Sequence, residues 1–127
     1  KTSAAKVPSM SGAWRSVYGD NEVALSIDST QTTRLPDGTF NTRLKWQYAT
    51  DKAIGRSESY RALVEHRLVN CTLFGSKPVS AQTYDVAGKP VSSYTSTTRE
   101  LSNMDWGVRK GGTSGSKAYA ALCSSLK

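Results

Sequence analysis

Histidine occurs once, cysteine twice and acidic residues only ten times in this chain of 127 residues. A single imidazole, His66, excludes a histidine-rich metal site or an HExxH zinc motif, and any Ser-His-Asp triad would have to be built on that one ring. Asp28, Asp85 and Asp105 have no spacing that pairs them for acid–base work. The longest near-apolar run, Ala118 to Cys123, falls far short of the ~20 residues that a membrane-spanning helix needs. A chain this long holds one modest hydrophobic core and leaves no room for a second. These shortages point to a non-enzymatic domain without metal or cofactor.

A near miss to a nucleotide-binding motif fits the same picture. In Arg109 to Ala118, Gly111 and Lys117 stand at the separation of a phosphate-binding loop, G-x-x-x-x-G-K-[ST]. Ser116 replaces the second glycine and Ala118 replaces the hydroxyl that would hold magnesium. The stretch is expected to lead into a helix instead.

What the chain has in excess is positive charge: 17 lysines and arginines leave a formal charge of +7. Such a balance steers encounters toward acidic partners such as protein surfaces or acidic polysaccharides without naming one. Residues 1–12 are small, polar and proline-containing. They are expected to form a flexible tail, of the kind left after a secretory leader is cleaved, ahead of a single domain over 13–127. Cys71 and Cys123 have no metal-ligand spacing. An even pair in an exported protein is most simply a disulfide, with two buried thiols as the alternative. Closing a loop of about 53 residues would restrict the unfolded chain by roughly 4 kcal/mol in the chain-entropy model.

Most of the chain has the period-two pattern of half-buried strands. Trp14 to Tyr18 reads as a first short strand. In Glu22 to Asp28, Val23, Leu25 and Ile27 face a core while Ala24, Ser26 and Asp28 face away. After the turn residues Pro36-Asp37-Gly38, the segment Phe40 to Tyr48 sets Phe40, Thr42, Leu44, Trp46 and Tyr48 on a buried face, and Asn41, Arg43, Lys45 and Gln47 on a wet one. Tyr60 to Cys71 reads as its antiparallel partner. One register opposes Trp46 with Ala62, Leu44 with Val64, Phe40 with Leu68 and Arg43 with Glu65.

That second strand is apolar on both faces, so something should cover the side bearing Leu63, Val69 and Cys71. Pro78 to Val86 and Pro90 to Thr98 add two strands around Asp85 to Gly88, the latter an edge strand through which a homodimer is conceivable. In the last segment the period changes: Tyr119, Leu122, Cys123 and Leu126 share one helical face, with Ser114 or Ser116 as the cap. A helix anchored by Cys71–Cys123 would cover the strand's second face. The expected fold is α+β: an antiparallel sheet of five or six strands with one C-terminal α-helix packed on it, stapled by that disulfide.

Candidate binding residues are Arg43, Lys45, Arg61 and Arg67, which adjacent strands could gather into a basic patch. Nucleic acid is a poor fit, because Phe40, Trp46 and Tyr48 alternate to the side opposite Arg43 and Lys45. His66 shares a face with Val64 and Leu68, where a structural imidazole is expected. The sequon Asn70-Cys71-Thr72 lies inside a strand and uses the disulfide cysteine.

Several landmarks occur together in an order met elsewhere. They are Trp14, Asp28, Arg43-Leu44-Lys45-Trp46, Tyr60-Arg61, Leu68-Val69-Asn70-Cys71, Tyr84, Gly88, Trp106-Gly107-Val108 and Cys123. In this the chain resembles the surface-adhesin E-like family of small exported bacterial proteins, over about residues 13 to 124. The resemblance implies a Gram-negative envelope or secreted domain, a disulfide-stapled sheet and helix, no catalysis, and host matrix or serum proteins such as vitronectin, laminin and plasminogen as partners. The N-terminal KTSAAKVPSM has no lipobox cysteine, which leaves a periplasmic or secreted soluble protein as well as a surface one. The alternative function is a periplasmic or secreted inhibitor of a lysozyme-like hydrolase, which would insert a loop into the enzyme's cleft.

Overall fold

The computed structural model describes residues 12–108 and 113–126; residues 1–11 of the expected tail and Gly111 and Gly112 of the motif lie outside them. Six strands follow one another across a single sheet: β1 (Trp14–Gly19), β2 (Val23–Arg34), β3 (Phe40–Ile54), β4 (Glu58–Asn70), β5 (Gly75–Tyr84) and β6 (Pro90–Thr95). Each pairs antiparallel with its sequence neighbours in the order β1-β2-β3-β4-β5-β6. A short helix, α1 (Thr98–Asn103), leads to the two-residue strand β7 (Gly107–Val108), which pairs with the start of β5. The chain then forms α2 (Ser114–Leu126).

Alternation places the core as the sequence suggests. Val23, Leu25 and Ile27 of β2 are buried with Phe40, Leu44 and Trp46 of β3 and Val69 of β4. The apolar face of α2 closes this layer with Ala118, Tyr119, Leu122 and Cys123, and Leu126 packs beside them. Tyr119 is fully buried, stacked on Trp46 at 6.1 Å between ring centroids and met edge-on by Phe74 at 6.4 Å. Phe74 reaches that position from a left-handed φ of 60°, in the turn between β4 and β5. Cys71 and Cys123 are joined, with Cα atoms 5.7 Å apart across 52 residues of sequence.

The β3–β4 register differs by one residue from the expected one. Trp46 opposes Leu63, Leu44 opposes Glu65, Phe40 opposes Val69 and Arg43 opposes His66. Because side chains alternate with period two, a one-residue slip exchanges faces. Leu63, Val69 and Cys71 therefore lie on the same side as Leu44 and Trp46, and α2 covers both rows at once. Val64, Ala62 and His66 instead share the opposite face with Arg43 and Lys45. The cause is an irregularity between Gln47 and Lys52: pairing starts at the tip as Ile54↔Glu58 and resumes beyond it as Gln47↔Ala62, with three extra residues on β3.

Two local differences concern caps and strand ends. The strand expected over Pro90 to Thr98 ends at Thr95, because Thr97 starts a helix. Its side chain accepts from the Glu100 N–H while Glu100 accepts from the Thr97 N–H, a capping box that satisfies two orphan donors. The cap of α2 is Thr113, one residue before the expected serines. Thr113 Oγ1 accepts from the Ser116 N–H at 3.0 Å, and Ser116 Oγ accepts from the Thr113 N–H at 3.2 Å. Ser116 thus acts as the cap's partner rather than the cap.

Candidate functional site

The four basic residues singled out in the sequence do not assemble into one patch. Arg43 and Lys45 sit on the face that α2 leaves uncovered. Arg67 lies under the helix, and Arg61 stands at the root of a projecting hairpin.

On the uncovered face, register places Trp14, Asp28, Arg43, His66 and Ser80 in one row across β1 to β5. This face is not wet at Arg43, whose guanidinium donates to Asp28 Oδ2 at 2.8 Å with side-chain exposures of 10% and 4%. Burial alone would raise the Asp28 pKa; hydrogen bonds from Thr30 and Arg43 outweigh it and hold the carboxyl below its ordinary value. The Trp14 ring packs on the pair's edge, with the Arg43 guanidinium carbon 4.6 Å and Lys45 Nζ 4.9 Å from its centroid. Two cations on one indole gain from its negative π-face while repelling each other. Desolvation, then the charge of Arg43, lowers the Lys45 pKa. His66 is half-buried, and the same two influences push its pKa down against a smaller opposing effect of Asp28. Trp14 also packs on a small apolar cluster of Ala62, Val64 and Tyr84.

Under the helix, a hydrogen-bonded chain crosses from sheet to α2. The Trp46 indole donates to Glu65 Oε2 at 2.7 Å, and Arg67 donates to Glu65 Oε1 at 2.8 Å and to Ser76 Oγ at 2.9 Å. Ser76 Oγ in turn shares a 2.6 Å bond with the Tyr119 hydroxyl. Burial opposes the Arg67 charge, but Glu65 and Tyr119 more than compensate and raise its pKa. A buried network with each of these members bonded rigidifies the junction, so Arg67 is committed to structure. Beside it opens a cleft of about 240 Å³, whose lining includes Trp46, Tyr48, Lys52, Leu63, Glu65 and Arg67.

The hairpin arm is the third feature. β2 pairs with β3 only as far as Tyr48, and β5 pairs with β4 only from Ala62, so the segment between them extends beyond its neighbours as a two-stranded arm. β3 contributes six residues (49–54) and β4 four (58–61), and four residues at about 3.3 Å each give the arm a reach of roughly 13 Å before its turn. Gly55, at φ 61°, makes the tip turn in a conformation that a side chain would strain. At the root, Arg61 Nε bonds Asp51 at 2.9 Å, Lys52 lies over the Tyr48 ring at 5.3 Å, and Tyr48 meets Tyr60 edge-on at 5.8 Å. The sequon asparagine, Asn70, accepts from the Thr72 and Leu73 N–H groups and so organises the β4–β5 turn.

Sequence reasoning missed Trp14, Asp28 and Tyr119 as partners of the basic residues, and set Glu65 against Arg43 where the structure pairs it with Arg67. The signal for the first pair was available: Asp28 and Arg43 both fall on the outward side of neighbouring strands, at positions a hairpin brings together. Among the described residues no three histidine, cysteine or acidic side chains converge to hold a metal ion, and no helix is long and apolar enough to cross a membrane. The geometry defines a disulfide-stapled antiparallel sheet backed by one C-terminal helix, with its buried charges paired. No family model, curated protein or solved structure matches the chain.

Proposed function

We propose that the chain is an exported, non-enzymatic binding module that docks an acidic macromolecule, as the adhesin E-like proteins it resembles dock matrix or serum proteins. The distribution of charge carries this reading. Asp28 and Glu65 bind Arg43 and Arg67 inside the fold. Removing those two pairs from 17 basic and 10 acidic residues leaves 15 and 8, so the entire +7 surplus lies outside them. Five of the 17 basic residues, Lys1, Lys6, Arg109, Lys110 and Lys127, lie outside the described residues; a net positive charge of this size favours association with anionic surfaces and makes it sensitive to salt. The internal disulfide is compatible with an exported location.

On the uncovered face Lys45 is the residue best suited to meet an incoming anion. Its charge is disfavoured by desolvation and by Arg43, so the opposite charge of a carboxylate or sulfate arriving there offsets both. The test is binding of the protein to immobilised matrix proteins, serum proteins and a sulfated polysaccharide, across 50 to 500 mM salt. Saturable binding that weakens with salt and drops several-fold in Lys45→Gln supports the reading. Failure to bind any of these at low salt removes it. Arg43 is a poor probe, since its loss damages the fold itself.

A second reading has its own observation in the β3–β4 arm. A narrow projecting hairpin with Arg56 at its tip suits a concave, carboxylate-lined cleft such as that of a glycan-cleaving hydrolase. If so, the protein slows lysozyme in a turbidity assay and Arg56→Ala relieves the inhibition; undiminished lysis at a large excess of protein discards the idea.

A further inference from the structure

We propose that a groove past the last turn of α2 is a binding site for an acidic peptide segment carrying an apolar side chain beside its carboxylates. This groove lies on the helix-covered side of the sheet, remote from Lys45, and its existence does not depend on the reading above. Its floor is apolar: Ile27, Phe40 and Leu126 line it beside the last described turn of α2. Arg15 of β1 and Arg34 of β2 flank that floor, and both are exposed. Register fixes their positions, since Arg15 opposes Ile27 and Arg34 opposes Phe40, so each guanidinium is anchored beside a floor residue.

Charge decides the class of occupant. Among the described residues that line the groove, Arg15 and Arg34 are the ionisable ones, and both are cationic. Arg15 donates to a hydroxyl, Ser125 Oγ at 3.0 Å, and Arg34 lies 5.9 Å from the Phe40 ring centroid. Neither contact neutralises a charge, so both guanidiniums keep donors arranged for the planar, two-point recognition of carboxylates. The groove of about 310 Å³ adjoins a second of about 420 Å³, which shares Arg34 and Phe40 and runs toward Cys71 and Thr72.

Shape and polarity favour a peptide over a fatty acid. Ser29, Thr32 and Ser125 bring hydroxyls to the wall. An alkyl chain laid across them would cover polar atoms without returning hydrogen bonds, whereas a peptide backbone offers N–H and C=O groups at each residue. One apolar side chain on the Ile27–Phe40–Leu126 floor, with a carboxylate toward each arginine, uses all three properties of the site.

The probe is a fluorescent, N-acetylated hexapeptide of alternating glutamate and leucine, titrated by polarisation against the intact, oxidised protein at 50 mM salt. Binding is expected to weaken about fivefold in each of Arg15→Gln and Arg34→Gln, the range for solvent-exposed ion pairs. It is expected to weaken similarly when serine replaces the peptide's leucines, and to stay unchanged in Lys45→Gln. Sulfate and decanoate, at concentrations equal to the unlabelled peptide, should not displace the probe. Circular dichroism and thermal melting confirm that each variant is folded. Absence of binding, affinity untouched by both arginine substitutions, equal loss in Lys45→Gln, or displacement by sulfate or decanoate as effective as by peptide would each overturn the proposal.

Discussion

Replacing Arg43 with methionine keeps most of the side chain's length and removes its charge, leaving Asp28 buried opposite an apolar group. The pair's side chains are 10% and 4% exposed and 2.8 Å apart, so water can replace little of what is lost. Breaking a buried ion pair from one side costs about 3–5 kcal/mol. For a chain of this size that corresponds to a fall in Tm of roughly 10 to 20 °C. Asp28→Asn should be costly for the converse reason, since it leaves a buried guanidinium. The double variant, Arg43→Met with Asp28→Asn, has no orphaned charge and should recover more than half of either loss. Asp28 also links stability to acid. Its folded pKa lies below the ordinary 3.8, so its contribution is present above that value and disappears as pH falls through the lower folded value. The assay is urea or thermal unfolding of the four proteins at pH 7 and at pH 3. Strict additivity of the two substitutions, or an Arg43→Met loss below about 1 kcal/mol, would refute the claim that the pair acts as a buried unit.

Two further outcomes follow from other parts of the fold. Cys123→Ser should cost about 4 kcal/mol through the 52-residue separation it opens, measured by urea unfolding; two alkylatable thiols in the unreduced, denatured wild type would deny the bond altogether. His66 has a depressed folded pKa, so stability should fall as pH drops below the ordinary 6.5 and through the folded value, a slope that His66→Gln flattens in melts between pH 7.5 and 5.

The parts of the fold that were legible in the sequence are those in which a local pattern has one physical solution. Val23, Leu25 and Ile27 alternate cleanly, and an alternating strand has one buried side. The i, i+3, i+4, i+7 spacing of Tyr119, Leu122, Cys123 and Leu126 gives a single helical face, and Cys123 on that face has Cys71 to meet. Register was not legible, because three residues absorbed between Gln47 and Lys52 leave no mark in hydrophobic pattern. That slip determines which groups meet across β3 and β4, so Arg43 stands opposite His66 while Glu65 lies under the helix with Trp46 and Arg67. The start of α1 was present in Thr97-x-x-Glu100, but the surrounding serines and threonines read equally well as strand. Surface features, by contrast, depend on where neighbours stop. The arm exists because β2 and β5 stop pairing before β3 and β4 do, and the groove is lined by β1, β2, β3 and the last described turn of α2.

The nearest-neighbour order of the strands has a consequence for how the chain is made. As residues emerge from the N-terminus, each strand meets the one just before it, so the sheet can assemble in the order of synthesis. Its helix-facing side nevertheless stays uncovered until the last element arrives. Cys71 emerges with β4 finished and its partner 52 residues away, so that much more of the chain must follow before the two can join. The bond between Cys71 and Cys123 thereby ties the C-terminal helix to the strand that precedes it by 52 residues.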